Sequence, residues 1–235
     1  MMIHAVRPGR KHLVLLVVLM GMSVAQPLVG HRSTTGGALS DVVLSAICVY
    51  LLFVVFGQGR QRRVALALIL PAIASNFGVY VLPRGVHTAS EVAYHCFMVW
   101  FLSFAVAEIL RDIFRKREIS GDDVIGAFCG YIFLALVWAN LYTLTYLLVP
   151  GTFTVNPAIA MRLGEWHERR ALFDYLSFTT MMTLGYGDIT PIGPPAYTLT
   201  WLEVMVGQFY MAVVVAQLVG LKLAQALSKG GPEAK

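Results

Sequence analysis

Apolar runs long enough to cross a lipid bilayer recur along most of this chain. A hydrocarbon core about 30 Å thick needs roughly 20 apolar residues in a helix. Hydrophobic residues make up 57% of the 235 positions and charged residues only 13%, against about 25% charged in an ordinary soluble domain. The sequence therefore predicts an all-α membrane protein with six transmembrane helices, over Leu13–Val29, Leu39–Phe56, Val64–Leu82, Val92–Leu110, Val124–Leu148 and Ala196–Leu221.

Basic residues are unequally divided between the two sides of these predicted helices. If both chain ends lie inside, 13 of the 18 Lys and Arg residues are cytoplasmic and five are outside, as short loops of membrane proteins require. The sequence thus predicts a multi-pass protein of the plasma (inner) membrane with both termini cytoplasmic. The net charge of +5 reflects this topology, and no pattern of basic and aromatic residues indicates nucleic-acid binding.

The first apolar run has a second interpretation. Basic residues precede it, and Ser23-Val24-Ala25 could serve as the cleavage site of a signal peptide. We expect the helix to be retained, because six spans place the amino end inside. Cleavage would leave five spans and would not change the part of the chain that follows.

A short glycine-containing segment, Thr183 to Asp188 with the sequence T-L-G-Y-G-D, lies before the last apolar run. Glycine adopts backbone conformations that most residues cannot, so its two glycines allow successive carbonyl oxygens to face one axis. A ring of such oxygens can replace the water shell of a bare cation. The preceding segment, Ala171–Met182, is apolar but too short to span, which predicts a re-entrant pore helix buried beside an ion pathway.

The part of the chain from Val124 to Lys222 resembles the pore domain of the tetrameric potassium channels. The resemblance rests on the T-L-G-Y-G-D segment and on the order of the predicted elements: outer helix, pore helix, filter and inner helix. The resemblance implies a potassium-selective channel in which four copies form one filter around a C4 axis. The partners are then three further copies and the lipid bilayer, and K⁺ is the permeant ion with no cofactor. It implies a filter formed by Thr183, Leu184, Gly185, Tyr186 and Gly187, with K⁺ sites at Thr183 to Tyr186 and Asp188 at the outer mouth.

The pore helix departs from the family pattern in two places. Met182 lies immediately before the filter, where relatives commonly have Thr. Tyr175-Leu176 lies where relatives commonly have a pair of aromatic residues. Packing behind the filter is therefore expected to differ. Two interpretations of Tyr175 remain open: a hydrogen bond to Asp188 that holds the outer mouth, or a packing position on the pore helix.

The last predicted helix carries a glycine and a carboxylate at membrane depth. Gly207 lies where similar channels often place a hinge, and close packing of small residues is the alternative. An acid at membrane depth usually has a functional role, and we therefore expect one for Glu203. Its expected partner is Thr179 or Thr180 on the pore helix.

Helical spacing places Gln208, Met211, Val215 and Val219 on one face of the same helix. By the resemblance, this face lines the cavity and gate below the filter. A stripe of Met and Val is otherwise typical of a packed core.

The predicted domains are a four-helix transmembrane domain (1–118), a pore domain (119–225) and a short cytoplasmic tail (226–235). The first occupies the position of a sensor, but Val92–Leu110 contains only one formal charge, Glu108, so it is not expected to sense voltage. The segment 165–168, Glu-Trp-His-Glu, is expected to be a solvated face of an outer loop, with pH sensing or metal binding as alternatives. The tail is too short for a regulatory domain, which leaves a separate regulatory partner open.

Other classes of protein are less consistent with the sequence. It contains no H-E-x-x-H, no G-x-S-x-G and no paired intramembrane Asp, so an enzyme is not expected. A one-chain transporter would repeat the filter. A weakly selective cation channel, or a non-conducting subunit of a heteromeric channel, remains the alternative function.

Overall fold

The computed structural model describes residues 11–30, 34–56, 59–81, 83–116 and 118–229, and this part of the chain is mostly helical. Its long helices are joined by short connections, and a small two-stranded sheet lies between α5 and α8. The elements are α1 (Lys11–Gly30), α2 (Thr34–Val54), α3 (Arg60–Val81), α4 (Arg84–Arg115), α5 (Gly121–Leu148), β1 (Phe153–Val155), α6 (Pro157–Ala160), a 3₁₀ turn (Met161–Gly164), α7 (Trp166–Met181), β2 (Ile189–Pro191) and α8 (Pro194–Lys229).

Four of the described helices are long and apolar enough to cross a membrane: Arg60–Val81, Val86–Arg115, Gly121–Leu148 and Pro194–Leu227. The first two helices have 20 and 21 residues, but their described apolar parts are shorter. The fold fits an all-α membrane protein, and the count of six spans stays a prediction.

The connection between α4 and α5 shows how local sequence sets a helix boundary. The Ser120 side chain accepts a hydrogen bond from the backbone N–H of Asp123, and the Asp123 carboxylate accepts one from the Ser120 N–H at 2.9 Å. This reciprocal cap satisfies two backbone donors at the start of α5. Lys116 lies 2.7 Å from Asp112 and 2.6 Å from Asp123. Burial alone would lower the pKa of Lys116, but the bonds to the two carboxylates outweigh it and raise the pKa.

Helix α5 lies at the centre of the fold and packs against α1, α4, α7 and α8. Over half of its residues are buried. The Tyr210 hydroxyl of α8 donates to the Ala127 carbonyl of α5 at 2.6 Å. Helix α5, the predicted outer helix, therefore contacts helices of both predicted domains.

Several predicted boundaries were wrong. The pore helix begins at Trp166 rather than Ala171, so the segment Trp166–Arg170 is helical rather than part of an outer loop. Helix α4 extends beyond both ends of the predicted fourth span, and α8 continues to Lys229, into the predicted tail. The two strands have no signal in the sequence, because each has only three residues.

Candidate ion-conducting site

The backbone of the predicted filter alternates between two conformations. The φ angles of Thr183, Gly185 and Gly187 are 60°, 55° and 78°, whereas Leu184 and Tyr186 are not among the described residues with positive φ. Positive φ thus recurs at every second residue of the segment. Positive φ is strained for a β-branched residue such as Thr183, and strain of this kind is concentrated at functional sites.

The inner end of the filter is held by the last turn of α7. The Thr179 carbonyl accepts hydrogen bonds from the backbone N–H groups of Leu184 at 2.7 Å and Gly185 at 3.3 Å. The Thr183 N–H donates to the Thr180 carbonyl at 2.9 Å. The N–H groups of the first three residues of the predicted filter are therefore bonded within the chain.

The outer end of the filter is fixed by the two-stranded sheet. Strands β1 and β2 pair antiparallel, with Thr154 opposite Thr190. The Asn156 N–H donates to the Asp188 carbonyl at 2.8 Å, and the Ile192 N–H donates to the Thr152 carbonyl at 2.8 Å. The loop before the pore helix therefore clamps the segment that leaves the filter.

Tyr175 lies beside the outer mouth of the predicted filter. Its ring is nearly parallel to that of Tyr186, with centroids 6.4 Å apart. The Asp188 carboxylate accepts a hydrogen bond from the Ile189 N–H at 3.1 Å. The stacked pair of tyrosines places Tyr175 next to the predicted filter, and both interpretations of Tyr175 stay predictions.

Glu203 is fully buried behind the filter and joins three helices. Its carboxyl group is hydrogen-bonded to the hydroxyls of Tyr142 on α5 and Ser177 on α7. The expected partners, Thr179 and Thr180, were wrong: the Thr179 hydroxyl instead donates to the Tyr175 and Leu176 carbonyls, both at 3.0 Å. A Thr hydroxyl often bonds to the backbone of the preceding helical turn, which removes Thr179 as a partner.

The bonds around Ser177 determine the protonation of Glu203. The Ser177 hydroxyl has one proton, yet its oxygen lies within bonding distance of the Glu203 Oε1 atom and 2.6 Å from the Ala135 carbonyl oxygen. Two full bonds, rather than one proton shared between two acceptors as at Thr179, form when Glu203 is protonated and donates to Ser177, which then donates to Ala135. Among the described residues, none forms an ion pair with Glu203. The geometry therefore assigns a neutral carboxylic acid.

Gly207 is buried against the end of the pore helix. A Cβ atom built there would lie 2.9 Å from the Met181 Cγ atom, and the Met181 carbonyl accepts a hydrogen bond from Tyr131 at 3.1 Å. Helix α8 runs without interruption from Pro194 to Lys229 through this position. The contact favours close packing over a hinge at Gly207.

The predicted cavity face of α8 is exposed in the single chain. A neighbouring face of the same helix, with Tyr210, Val214 and Leu218, is buried within the chain. The face that remains exposed includes the predicted residues Gln208, Met211, Val215 and Val219.

The segment 165–168 does not form the solvated loop face that was predicted. Trp166 is buried at the start of α7, and its neighbour His167 lies 3.0 Å from the Tyr80 hydroxyl and 3.8 Å from the Asp41 carboxylate. Burial lowers the pKa of His167. The sequence analysis missed Asp41, although an acid within an apolar run is itself a signal of function.

Comparisons with known proteins support an ion channel family. A family model described as "Ion channel" matches residues 172–221, from α7 through the filter segment into α8. Protein LctB of Bacillus caldotenax is 32% identical over 92 residues, which are 38% of this chain and 64% of that protein. The chain thus covers less than two thirds of this relative. No solved structure matches the chain significantly. The fold and the family match together support a membrane protein with an ion-channel region.

Proposed function

We propose that this chain is a subunit of a potassium-selective channel that conducts K⁺ passively across the membrane. The observation that carries the proposal is the backbone of residues 183–187, where positive φ recurs at every second residue and the N–H groups of Leu184 and Gly185 are engaged by the Thr179 carbonyl. With these N–H groups engaged, the carbonyl oxygens of the segment are available to a dehydrated cation, which requires such partial negative charges.

Electrostatics explains why carbonyls suit the task better than carboxylates. Moving a bare ion from water to low dielectric costs tens of kcal/mol. Several partial negative charges offset that cost, whereas full carboxylates would hold the ion too tightly to release it. The proposed K⁺ sites are formed by Thr183, Leu184, Gly185 and Tyr186, with Gly187 and Asp188 at the outer end.

One chain supplies only one side of such a filter, so the proposal requires four copies around a central axis. The surface of the single chain supports this. Leu184 and Tyr186 are 55% and 68% exposed, and apolar side chains of α8 such as Phe209 and Val213 are also exposed. A groove of about 370 Å³ beside the filter, lined in part by Thr180, Tyr186 and Val204, is open for a neighbouring copy.

The proposed channel lies in the plasma (inner) membrane with both termini cytoplasmic, and its partners are three further copies and the surrounding lipid. No cofactor is needed, because the permeant ion itself is the ligand. Nothing in the described residues specifies the gating stimulus, so a regulatory partner is compatible with the proposal.

The test is cation flux into liposomes that contain only the purified protein, with potassium and sodium gradients compared. We expect flux that strongly favours potassium. Equal flux of both ions would support the weakly selective alternative, and no flux from the protein alone would support a non-conducting subunit of a heteromeric channel. Empty liposomes and liposomes containing the Gly185→Ala variant are the controls.

A further inference from the structure

Two consecutive arginines in the first turns of the pore helix are buried. Arg169 and Arg170 on α7 are 8% and 7% exposed. Each is bonded to a carboxylate on a different helix of the four-helix domain: Glu91 on α4 and Asp41 on α2. These contacts lie outside the segment on which the function proposed above depends.

Arg170 joins α7 to two of these helices. Its Nη1 atom lies 2.8 Å from the Asp41 Oδ1 atom, and the Asp41 Oδ2 atom accepts a hydrogen bond from Tyr80 of α3 at 2.6 Å. The guanidinium carbon lies 5.3 Å from the ring centroid of Tyr94 and 5.6 Å from that of Trp166. A planar cation between aromatic rings and a carboxylate has little freedom to move.

Arg169 makes the second connection, to α4. Its Nε atom donates to the Glu91 Oε1 atom at 2.9 Å, and its Nη2 atom donates to the same oxygen. Its Nη1 atom donates to the Leu163 carbonyl at 2.7 Å. The start of the pore helix is therefore held at once by the four-helix domain and by the turn that precedes it.

These contacts are connected to the filter through a single helix. Arg169 and Arg170 precede Thr179 by ten and nine residues on one uninterrupted helix, a distance of about 15 Å at 1.5 Å per residue. The Thr179 carbonyl at the other end accepts the bonds from Leu184 and Gly185. A displacement of the first turn of α7 along the helix axis therefore reaches the filter backbone directly.

We propose that Arg169 and Arg170 are positioning residues through which the four-helix domain sets the geometry of the selectivity filter. The inference rests on the proposed function of that filter. A buried ion pair adds little net stability compared with apolar residues of the same size, but breaking one partner leaves an unpaired buried charge. Such pairs therefore fix the position of α7 relative to α2 and α4, and a rearrangement of the four-helix domain would act on the filter through them.

The test uses charge-balanced double variants of the full chain: Asp41→Asn with Arg170→Met, and Glu91→Gln with Arg169→Met. Each removes both charges of one ion pair. Because Asp174, one helical turn after Arg170, also interacts with that arginine, the first variant is compared with and without Asp174→Asn. The first readout is hydrogen exchange at the backbone amides of Leu184 and Gly185, which we expect to rise. The second is the potassium-to-sodium flux ratio, which we expect to fall.

Gln61→Met is the matched control. It removes the 2.6 Å bond between Gln61 of α3 and Glu108 of α4, within the same domain but without contact to α7, and it should leave both readouts at the wild-type level.

Three outcomes would overturn the inference. If both double variants keep wild-type exchange at Leu184 and Gly185, the ion pairs do not position the filter. If Gln61→Met raises the exchange equally, the effect is general loosening of the domain. If a double variant does not assemble, Arg169→Lys and Arg170→Lys replace it, because lysine keeps the charge but lacks the planar guanidinium group. Unchanged hydrogen exchange at the filter in both Lys variants would also overturn the inference. Absence of potassium flux from the wild-type protein would refute the proposed function. The hydrogen-exchange comparison needs no conduction, so it would still decide whether the ion pairs position the filter.

Discussion

Gly207 of α8 lies directly against Met181, the last residue of α7 and two residues before the predicted filter. A Cβ atom on Gly207 would approach the Met181 Cγ atom to 2.9 Å, closer than real Cβ contacts allow. The side chain of Met181 is fully buried and its carbonyl is bonded to Tyr131. Helix α7 can therefore occupy its observed position only because residue 207 has no side chain.

Replacing this glycine should affect the filter. We expect Gly207→Ala to destabilise the assembled protein by about 1–3 kcal/mol through overpacking and to lower the potassium-to-sodium flux ratio, because Met181 must move. Gly220→Ala is the control, since a Cβ on Gly220 of the same helix would meet nothing within 4 Å. Adding Met181→Ala to Gly207→Ala should restore the ratio. Reduced open probability with unchanged selectivity and unchanged single-channel current would instead indicate a hinge.

The assigned protonation of Glu203 gives a second prediction. Glu203→Gln should keep near wild-type thermal stability, because the amide can donate to Ser177 and accept from Tyr142 as the neutral acid does. Glu203→Ala should cost about 1–3 kcal/mol for each buried partner left without a bond. Thermal unfolding of the two purified variants measures the difference. Equal, large destabilisation by Gln and Ala would show that Glu203 is ionised.

A third prediction concerns the glycines of the filter. The φ angles of Gly185 and Gly187 are 55° and 78°, and an alanine in the left-handed region costs about 1–2 kcal/mol per residue. Gly185→Ala and Gly187→Ala should therefore abolish selective potassium flux while leaving membrane insertion intact. Gly164→Ala is the control, because Gly164 is not among the positive-φ glycines and a Cβ there meets nothing within 4 Å. Wild-type selectivity in both filter variants would contradict the assigned filter.

The features that depend on local sequence were the predictable ones. A short apolar segment that ends in T-L-G-Y-G-D predicts a helix followed by a glycine-dependent turn, and the structure has α7 and positive φ angles there. That this helix is re-entrant and that the turn is a filter stay predictions. The bonds between distant residues were not predictable. Glu203 meets Tyr142 and Ser177, 61 and 26 residues away, and Arg170 meets Asp41, 129 residues away. Such pairings depend on which helix faces pack together, and hydropathy does not specify this.

The environment of His167 predicts how stability depends on pH. Burial lowers its pKa from the ordinary 6.5; Asp41, Glu165 and Glu168 act to raise the pKa, and Arg170 to lower it. The folded state therefore disfavours the protonated imidazole. As pH falls below 6.5, the unfolded chain gains a proton that the folded chain resists, so stability should decrease. Above that pH His167 is neutral in both states and contributes no dependence.

Thermal unfolding between pH 8 and pH 5 tests this, with His167→Gln as the comparison. The wild type should lose more stability than the variant on acidification. Parallel loss in both proteins would assign the dependence to other groups.

The most direct test of the central claim is the reversal potential of current through the purified protein in a planar bilayer, with potassium on one side and sodium at equal concentration on the other. A filter formed by the carbonyls of Thr183 to Gly187 predicts a reversal potential displaced far from zero, in the direction set by potassium permeation. It also predicts that Gly185→Ala carries no selective current. A reversal potential at zero, from current that the protein itself carries, would show that the two ions pass equally and would contradict the account.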